Sequence, residues 1–362
     1  MYEIAGYRTG AGNPEWLASR PPAETHARAV QKLLDAGATI IGKTVCDEFF
    51  YSVTGANAHY GMPVNPRAPG RLPGGSSSGS AAACAAGACD VALGSDTAGS
   101  VRVPGALCGV YGIRATRGRF DMAGATPMAP SLDAGGWFSA SPGLLRRAGD
   151  ILLEPPQQAA PITQLIILDD AFETVDEPVA TLVEAVVAAA QDRLPAAAHD
   201  RAALGGLETW REAMRIVQAR EVWASFGEFI TRHRPNLGPG IRERMEIAAR
   251  ISDDQVSAAR DVTAQATQRM HDLTVPGTVL ALPTAPSIAP PLATPANKLE
   301  SFRVRVMRLV CMASISGLPQ VTIPAGTADG APVGLSFLGW RGSDEALLSL
   351  ATGMAPLVGA AL

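Results

Sequence analysis

The sequence predicts an α/β fold, and three observations carry that prediction. Short apolar runs of strand length recur along the chain: Thr39–Gly42, Leu165–Leu168, Thr278–Thr284, Gln320–Pro324 and Val333–Leu338. Between them lie stretches with apolar residues at helical spacing and charge on the remaining positions. An alanine-rich segment, Ala81–Ala88, leads directly into Asp90–Leu93, a small-residue helix feeding a short buried strand.

Taken in order, residues 1–19 contain Gly6, Gly10, Gly12 and Pro14 and read as loop. Pro21 and Pro22 introduce a helix over Ala23–Ala36, which Gly37 ends before the strand Thr39–Gly42. After Phe120 the chain is loop through Pro130, and Leu132–Phe138 approaches the functional face. Gln157–Pro161 marks a boundary. From there Val179–Leu194, Glu208–Arg232, Ile241–Ile251 and Asp253–Leu273 are helical, followed by a proline-rich loop from Pro283 to Pro295. Glu300–Ile315 and Ser343–Val358 are the last helices, flanking the strands at Gln320 and Val333. The whole of 1–362 reads as one domain, with 156–295 a mostly helical insertion capping the substrate entrance.

Composition narrows the function. At 362 residues and 47% apolar content the chain can bury a large core. A net charge of −4 offers no general attraction to nucleic acid or anionic membranes. The opening MYEIAGYRTG has neither the basic nor the apolar region of a signal peptide, and no apolar run reaches membrane-spanning length. Five cysteines without metal-ligand spacing suit a reducing compartment, so the expected location is cytoplasmic. No metal or other cofactor is expected, and a homodimer is one assembly the sequence allows.

Two small-residue turns organise the rest. Gly74–Gly79 and Gly94–Ser100 flank the alanine-rich segment. Glycines let backbone N–H groups converge on one point, so the amides of Thr97, Ala98, Gly99 and Ser100 are candidate donors to an oxyanion. Serines beside such donors are candidate nucleophiles that need a base. A flexible linker is the bland alternative, but the flanks are apolar and carry no charge run. A phosphate loop is excluded because neither GxxxxGK[ST] nor GxGxxG occurs. Gly75–Gly79 formally matches GxSxG, but Arg71-Leu72-Pro73 precedes it where a nucleophile elbow needs a strand.

At these residues the chain resembles the amidase signature family, whose hallmark PGGSSSGSAAAxAAG followed by GSDTxGSxRxPxxxCGxxGxxxTxGR is matched from Pro73 to Arg119. Further segments, including NPEWL, NAHYGMPVNP and SGLPQVTIP, make it similar to the plant-type indole-3-acetamide amidases. The resemblance implies an α/β/α sandwich around a large mixed sheet. It also implies a Ser-cisSer-Lys triad with Ser100 as nucleophile and Ser76 as the bridging serine. Ser77, Asp96 and Arg102 would support the site, and Phe50, Tyr51, Ser52 and Trp137 would border the substrate. The family's glycine pair before the nucleophile is Ala98-Gly99 here. Lys43 falls in a scaffold segment, and by register the triad lysine of the (I/V)KDxxDVxG motif lies just ahead of Met1. His59 is the histidine to watch as a substitute base, although a hydrogen-bonded structural role suits it better. The implied activity is hydrolysis of a small aryl or alkyl primary amide. The alternative is an amidase-like scaffold without turnover, as in chloroplast import receptors that carry a related inactive domain.

Overall fold

The computed structural model describes residues 1–155, 160–190 and 193–358. An eight-stranded mixed sheet runs through it: β1 (Ala92–Asp96), β2 (Tyr111–Arg114), β3 (Ala134–Ser139), β4 (Gln164–Leu168), β5 (Ala197–Asp200), β6 (Thr278–Pro283), β7 (Gln320–Ala328) and β8 (Ala331–Leu338). Their order is β1-β3-β2-β7-β8-β6-β4-β5, antiparallel from β1 to β6 and parallel across β6, β4 and β5. The α/β class read from the sequence is the observed one.

Alternation along the strands sorts the core onto two faces. On one face Ile113, Trp137, Val321, Leu335 and Phe337 pack against helices Pro142–Leu152, Glu177–Ala189 and Asp344–Val358. On the other, Leu280, Leu282 and Leu338 meet helices Leu207–His233, Asp253–Leu273 and Ala296–Ser316. The later helices fall where their apolar spacing put them. The segment 156–295 also supplies β4, β5 and β6, so it builds one end of the sheet besides contributing helices.

Several readings change. The helix read over Ala23–Ala36 spans Arg28–Asp35, and the strand read at Asp90–Leu93 is Ala92–Asp96. Residues 1–19 contain a helix, Pro14–Ser19, because Asn13 caps it by accepting the Trp16 N–H and Pro14 suits its first turn. Thr39–Gly42 is not a strand: no neighbouring strand shares its backbone hydrogen bonds among the described residues, and Ile40 and Ile41 are exposed. β2 and β3 are hidden in the sequence by their glycines. Gly135 and Gly136 are required by proximity, since a Cβ on the first would sit 2.0 Å from the Phe120 ring and on the second 2.3 Å from the Ile113 carbonyl. β5 is short and largely exposed, without the apolar run that marks a strand. The boundary read at Gln157–Pro161 falls mostly outside the described residues, as do Gln191 and Asp192 in the helix read to Leu194.

Gly136→Ala should therefore lower stability by about 1–3 kcal/mol through overpacking against main chain. The expected result is a lower urea midpoint at unchanged slope.

Candidate active site

The second Gly/Ser turn is built around one carboxylate. β1 ends at Asp96, which is fully buried. Asp96 Oδ1 accepts the Gly99 N–H (2.9 Å), and Oδ2 accepts those of Val101 (3.1 Å) and Arg102 (3.2 Å). The Arg102 guanidinium adds a forked pair, Nε to Oδ2 at 3.0 Å and Nη2 to Oδ1 at 2.7 Å. Arg114 from β2 approaches from the other side, 3.3 Å from Oδ1. Burial alone would favour the neutral acid, but the two guanidinium groups overcome it and hold the carboxyl well below the usual carboxylate range. Arg102 also donates to Gln320 Oε1 on β7 and to Val310 O and Ser314 Oγ on helix Ala296–Ser316. The turn is thereby bolted to sheet and helix together.

Gly99 has no substitute here. Its φ is 93°, and a Cβ would lie 2.7 Å from Val310 Cγ1 and 2.9 Å from Val103 Cγ2. Ala98 has no positive φ and is buried in the same apolar cluster as Val53, Val103 and Leu107. Thr97 Oγ1 donates to Asp133 Oδ1 at 2.5 Å, and Asp133 Oδ2 in turn accepts the amides of Met128 and Ala129. The Gly99 amide, one of the four candidate oxyanion donors, is taken by Asp96. The amides of Thr97, Ala98 and Ser100 donate to nothing among the described residues.

The first turn is laced to the second through main chain. The Ser77 N–H donates to the Ser100 carbonyl at 3.2 Å, and Ser80 Oγ donates to Leu93 O on the strand leading to Asp96. The Gly75–Ser76 peptide bond is cis. The Ser76 carbonyl accepts the Asp47 N–H (3.1 Å), and Gly75 N–H donates to Val53 O (2.9 Å). Ser76 and Ser100 are 1% and 5% exposed.

Asp47 lies in a segment that reads from the sequence as scaffold, and only the three-dimensional contacts single it out. Its Oδ2 accepts the Gly55 N–H at 3.1 Å, while Oδ1 is buried with no hydrogen-bond partner. The carboxyl lies against the serine turn, since a Cβ on Gly75 would fall 2.3 Å from Oδ2. Burial pushes its pKa up to about 7.

The remaining candidates separate. Val53 O ties the segment containing Phe50, Tyr51 and Ser52 to Gly75. Within that segment Phe50 packs in an aromatic cluster with Trp16 and Phe226, and the Tyr51 carbonyl accepts from Arg244. Ser52 Oγ pairs with Thr54 Oγ1 at 3.1 Å. Trp137, expected to border the substrate, is turned away from the serine turns. It is fully buried, donates to Leu145 O and stacks on Phe120, on the sheet face opposite Asp96, because successive residues of β3 point to opposite sides. His59 Nε2 lies 2.8 Å from Glu48 Oε1, a buried carboxylate that also accepts from Asn13 and Gly238, so the imidazole is held in a structural network. Lys43 Nζ donates to Thr9 Oγ1 and Arg8 O, and Lys32 pairs with Glu154. Among the described residues there is no cluster of three or more His, Cys, Asp or Glu able to hold a metal ion.

Known proteins resemble this chain in sequence and in fold. The profile of a family described as Amidase matches residues 1–147 and 170–348. Amidase 1 of Arabidopsis thaliana is 38% identical, with 99% of this chain and 91% of that protein aligned. Outer envelope protein 64, chloroplastic, of the same plant is 33% identical over 98% of this chain and 65% of its own length. A solved structure described as a crystal structure of amidase superposes with a TM-score of 0.87 at 26% identity, covering 99% of this chain and 83% of its own.

Two stability measurements test the electrostatics. Asp96→Asn leaves two buried guanidinium groups without their counter-charge and should cost about 3–5 kcal/mol in denaturant unfolding at neutral pH. Asp47 gives the opposite pH signature. Its folded pKa is raised, so its contribution is fully present below the unfolded value of about 4 and is lost as pH rises through about 7. Relative to the parent chain, Asp47→Asn should therefore gain stability as pH rises over that interval, read from unfolding curves at a series of pH values.

Proposed function

The chain belongs to the amidase family of hydrolases, and from that premise we propose that it cleaves a small aryl or alkyl primary amide to carboxylate and ammonia, with Ser100 as nucleophile. The supporting observation is the hydrogen bond from Ser77 N to Ser100 O, which holds the two serine turns together beside unengaged amides. In this reading Ser100 Oγ attacks the carbonyl carbon and its proton passes to Ser76 Oγ. The Ser76 proton moves to a lysine amine, which the family register puts ahead of Met1. The amides of Thr97, Ala98 and Ser100 receive the developing oxyanion, each donor of this type being worth about 10²–10³ in rate. Collapse of the tetrahedral species breaks the C–N bond, and ammonia leaves with the proton returned through Ser76. Water then hydrolyses the Ser100 ester by the same route.

Two of the three lysines support placing the base elsewhere, since the amines of Lys32 and Lys43 are engaged with Glu154, Thr9 and Arg8. General base catalysis contributes about 10²–10⁴ in rate. A chain extended upstream to include such a lysine should therefore release ammonia faster than residues 1–362 alone, by a factor of that order. Among the described residues no helix is long and apolar enough to cross a membrane. Cytoplasmic residence is proposed from composition alone, because one relative is named for the chloroplast outer envelope.

The test is ammonia release across a panel of aryl and alkyl primary amides by the extended chain, with fluorophosphonate labelling in parallel. Ser100→Ala should abolish labelling and lower kcat/KM by about 10³ or more. Ser76→Ala should lower kcat while leaving KM nearly unchanged. Absence of both turnover and Ser100 labelling in the extended chain would overturn the hydrolytic reading in favour of a scaffold role.

A further inference from the structure

Cys84 and Cys89 take no part in the amide chemistry, yet their sulfurs lie 3.6 Å apart. The contact follows from how one helix ends. Helix Ser78–Ala85 closes on Gly87 at φ 68°, with Gly87 N–H donating to Cys84 O (3.1 Å) and Ala88 N–H to Ala83 O (2.9 Å). This glycine cap turns the chain back on itself, so Cys89 returns over the last helical turn. Cys84 is buried and its thiol also reaches Phe138 O. Cys89 is half-buried and lines a groove of about 830 Å³, walled on one side by Gly37–Thr44 and on the other by Cys89–Leu93. Lys43, Arg147 and Asp90 are the charged side chains on the same groove, two cations to one anion, a balance that suits an anionic visitor.

We propose that Cys84 and Cys89 are a reactive thiol pair, which a small disulfide of the glutathione class entering by this groove converts to an intrachain disulfide. The Cys89 sulfur, as thiolate, attacks one sulfur of the incoming disulfide and breaks its S–S bond. A mixed disulfide forms on Cys89, and one thiol leaves carrying the proton. Cys84 then loses its proton and attacks Cys89 Sγ, releasing the second thiol and closing the bridge. Two protein thiols are oxidised and one external disulfide is reduced to two thiols.

The pair differs from the other cysteines in its surroundings. A thiol hydrogen bond from Cys84 draws the Cys89 pKa down, whereas donating that bond pushes Cys84 up. Burial pushes Cys46 up to about 11 and Cys108 and Cys311 to about 12, so those three stay protonated. The bridge would join the helix that follows Ser76 to the strand that carries Asp96, at the ends of both remote from the serines.

The experiment equilibrates the whole chain with oxidised glutathione, caps remaining thiols with N-ethylmaleimide, and reads intact mass and peptide maps. The expected product is lighter by two hydrogens before capping and takes two fewer N-ethylmaleimide groups than reduced protein. Both missing adducts should map to Cys84 and Cys89. Cys84→Ser should stop at a glutathione adduct on Cys89. In the parent chain, capping of both residues as free thiols, or a lasting glutathione adduct on Cys89, would overturn the proposal. Neither readout depends on amide turnover.

Discussion

The buried Asp96 carboxylate is the interaction on which the chemical end of this fold depends. An unpaired carboxylate removed from water costs several kcal/mol, so its presence at the end of β1 demands compensation. Arg102, Arg114 and three backbone amides supply it. The compensation also dictates geometry. Satisfying both oxygens forces the chain after β1 to curl over the carboxyl group, and that curl is the turn that presents Ser100. Arg102 carries the constraint outward to Gln320 and Ser314, which couples the turn to β7 and to a helix far along the sequence.

Close approach of backbones is the second requirement, and glycine answers it at particular points. Gly99 is enclosed by Val310 and Val103, while Gly75 abuts Asp47. A methyl group is present at Ala98, which has no positive φ and lies in a buried apolar cluster. The difference between adjacent positions comes from φ and from what each Cβ would meet, so a two-glycine pattern is not a strict need of this turn.

How much of this is legible in the sequence varies by element. The long helices are visible because each buries one periodic stripe, as in Asp253–Leu273, whose observed span equals the expected one. β7 and β8 are visible as short runs rich in apolar and β-branched residues, Gln320–Pro324 and Val333–Leu338, on either side of a glycine-containing turn. β2 and β3 are not, because Tyr111–Arg114 and Ala134–Ser139 spend positions on glycines and on the buried Arg114, which only tertiary partners make sense of. At the site, the serines and the Asp96–Arg102 pair stand out through motif density. Asp47 does not, since nothing local marks a carboxyl that lies against a turn more than twenty-five residues away in the chain. Trp137 misleads for the opposite reason: its neighbours in sequence reach the functional face, but strand alternation sends its own ring to the other side.

Several buried polar side-chain atoms lack a hydrogen-bond partner among the described residues. A protein relieved of functional demands would pair every buried donor and acceptor. Here Asp47 Oδ1 and Ser78 Oγ are buried without partners beside the cis Gly75–Ser76 bond, and the amides of Thr97, Ala98 and Ser100 are likewise unengaged, although Asp96 satisfies their neighbour Gly99. Arg119 Nε, Arg269 Nε, Trp340 Nε1 and Ser343 Oγ are also buried without partners, so such deficits are not confined to the serine turns. Departures from full satisfaction are expected where a protein keeps groups in reserve for something it binds. The same chain that satisfies Asp96 with five N–H groups from Arg102, Gly99 and Val101 leaves the neighbouring amides of Thr97, Ala98 and Ser100 unengaged among the described residues.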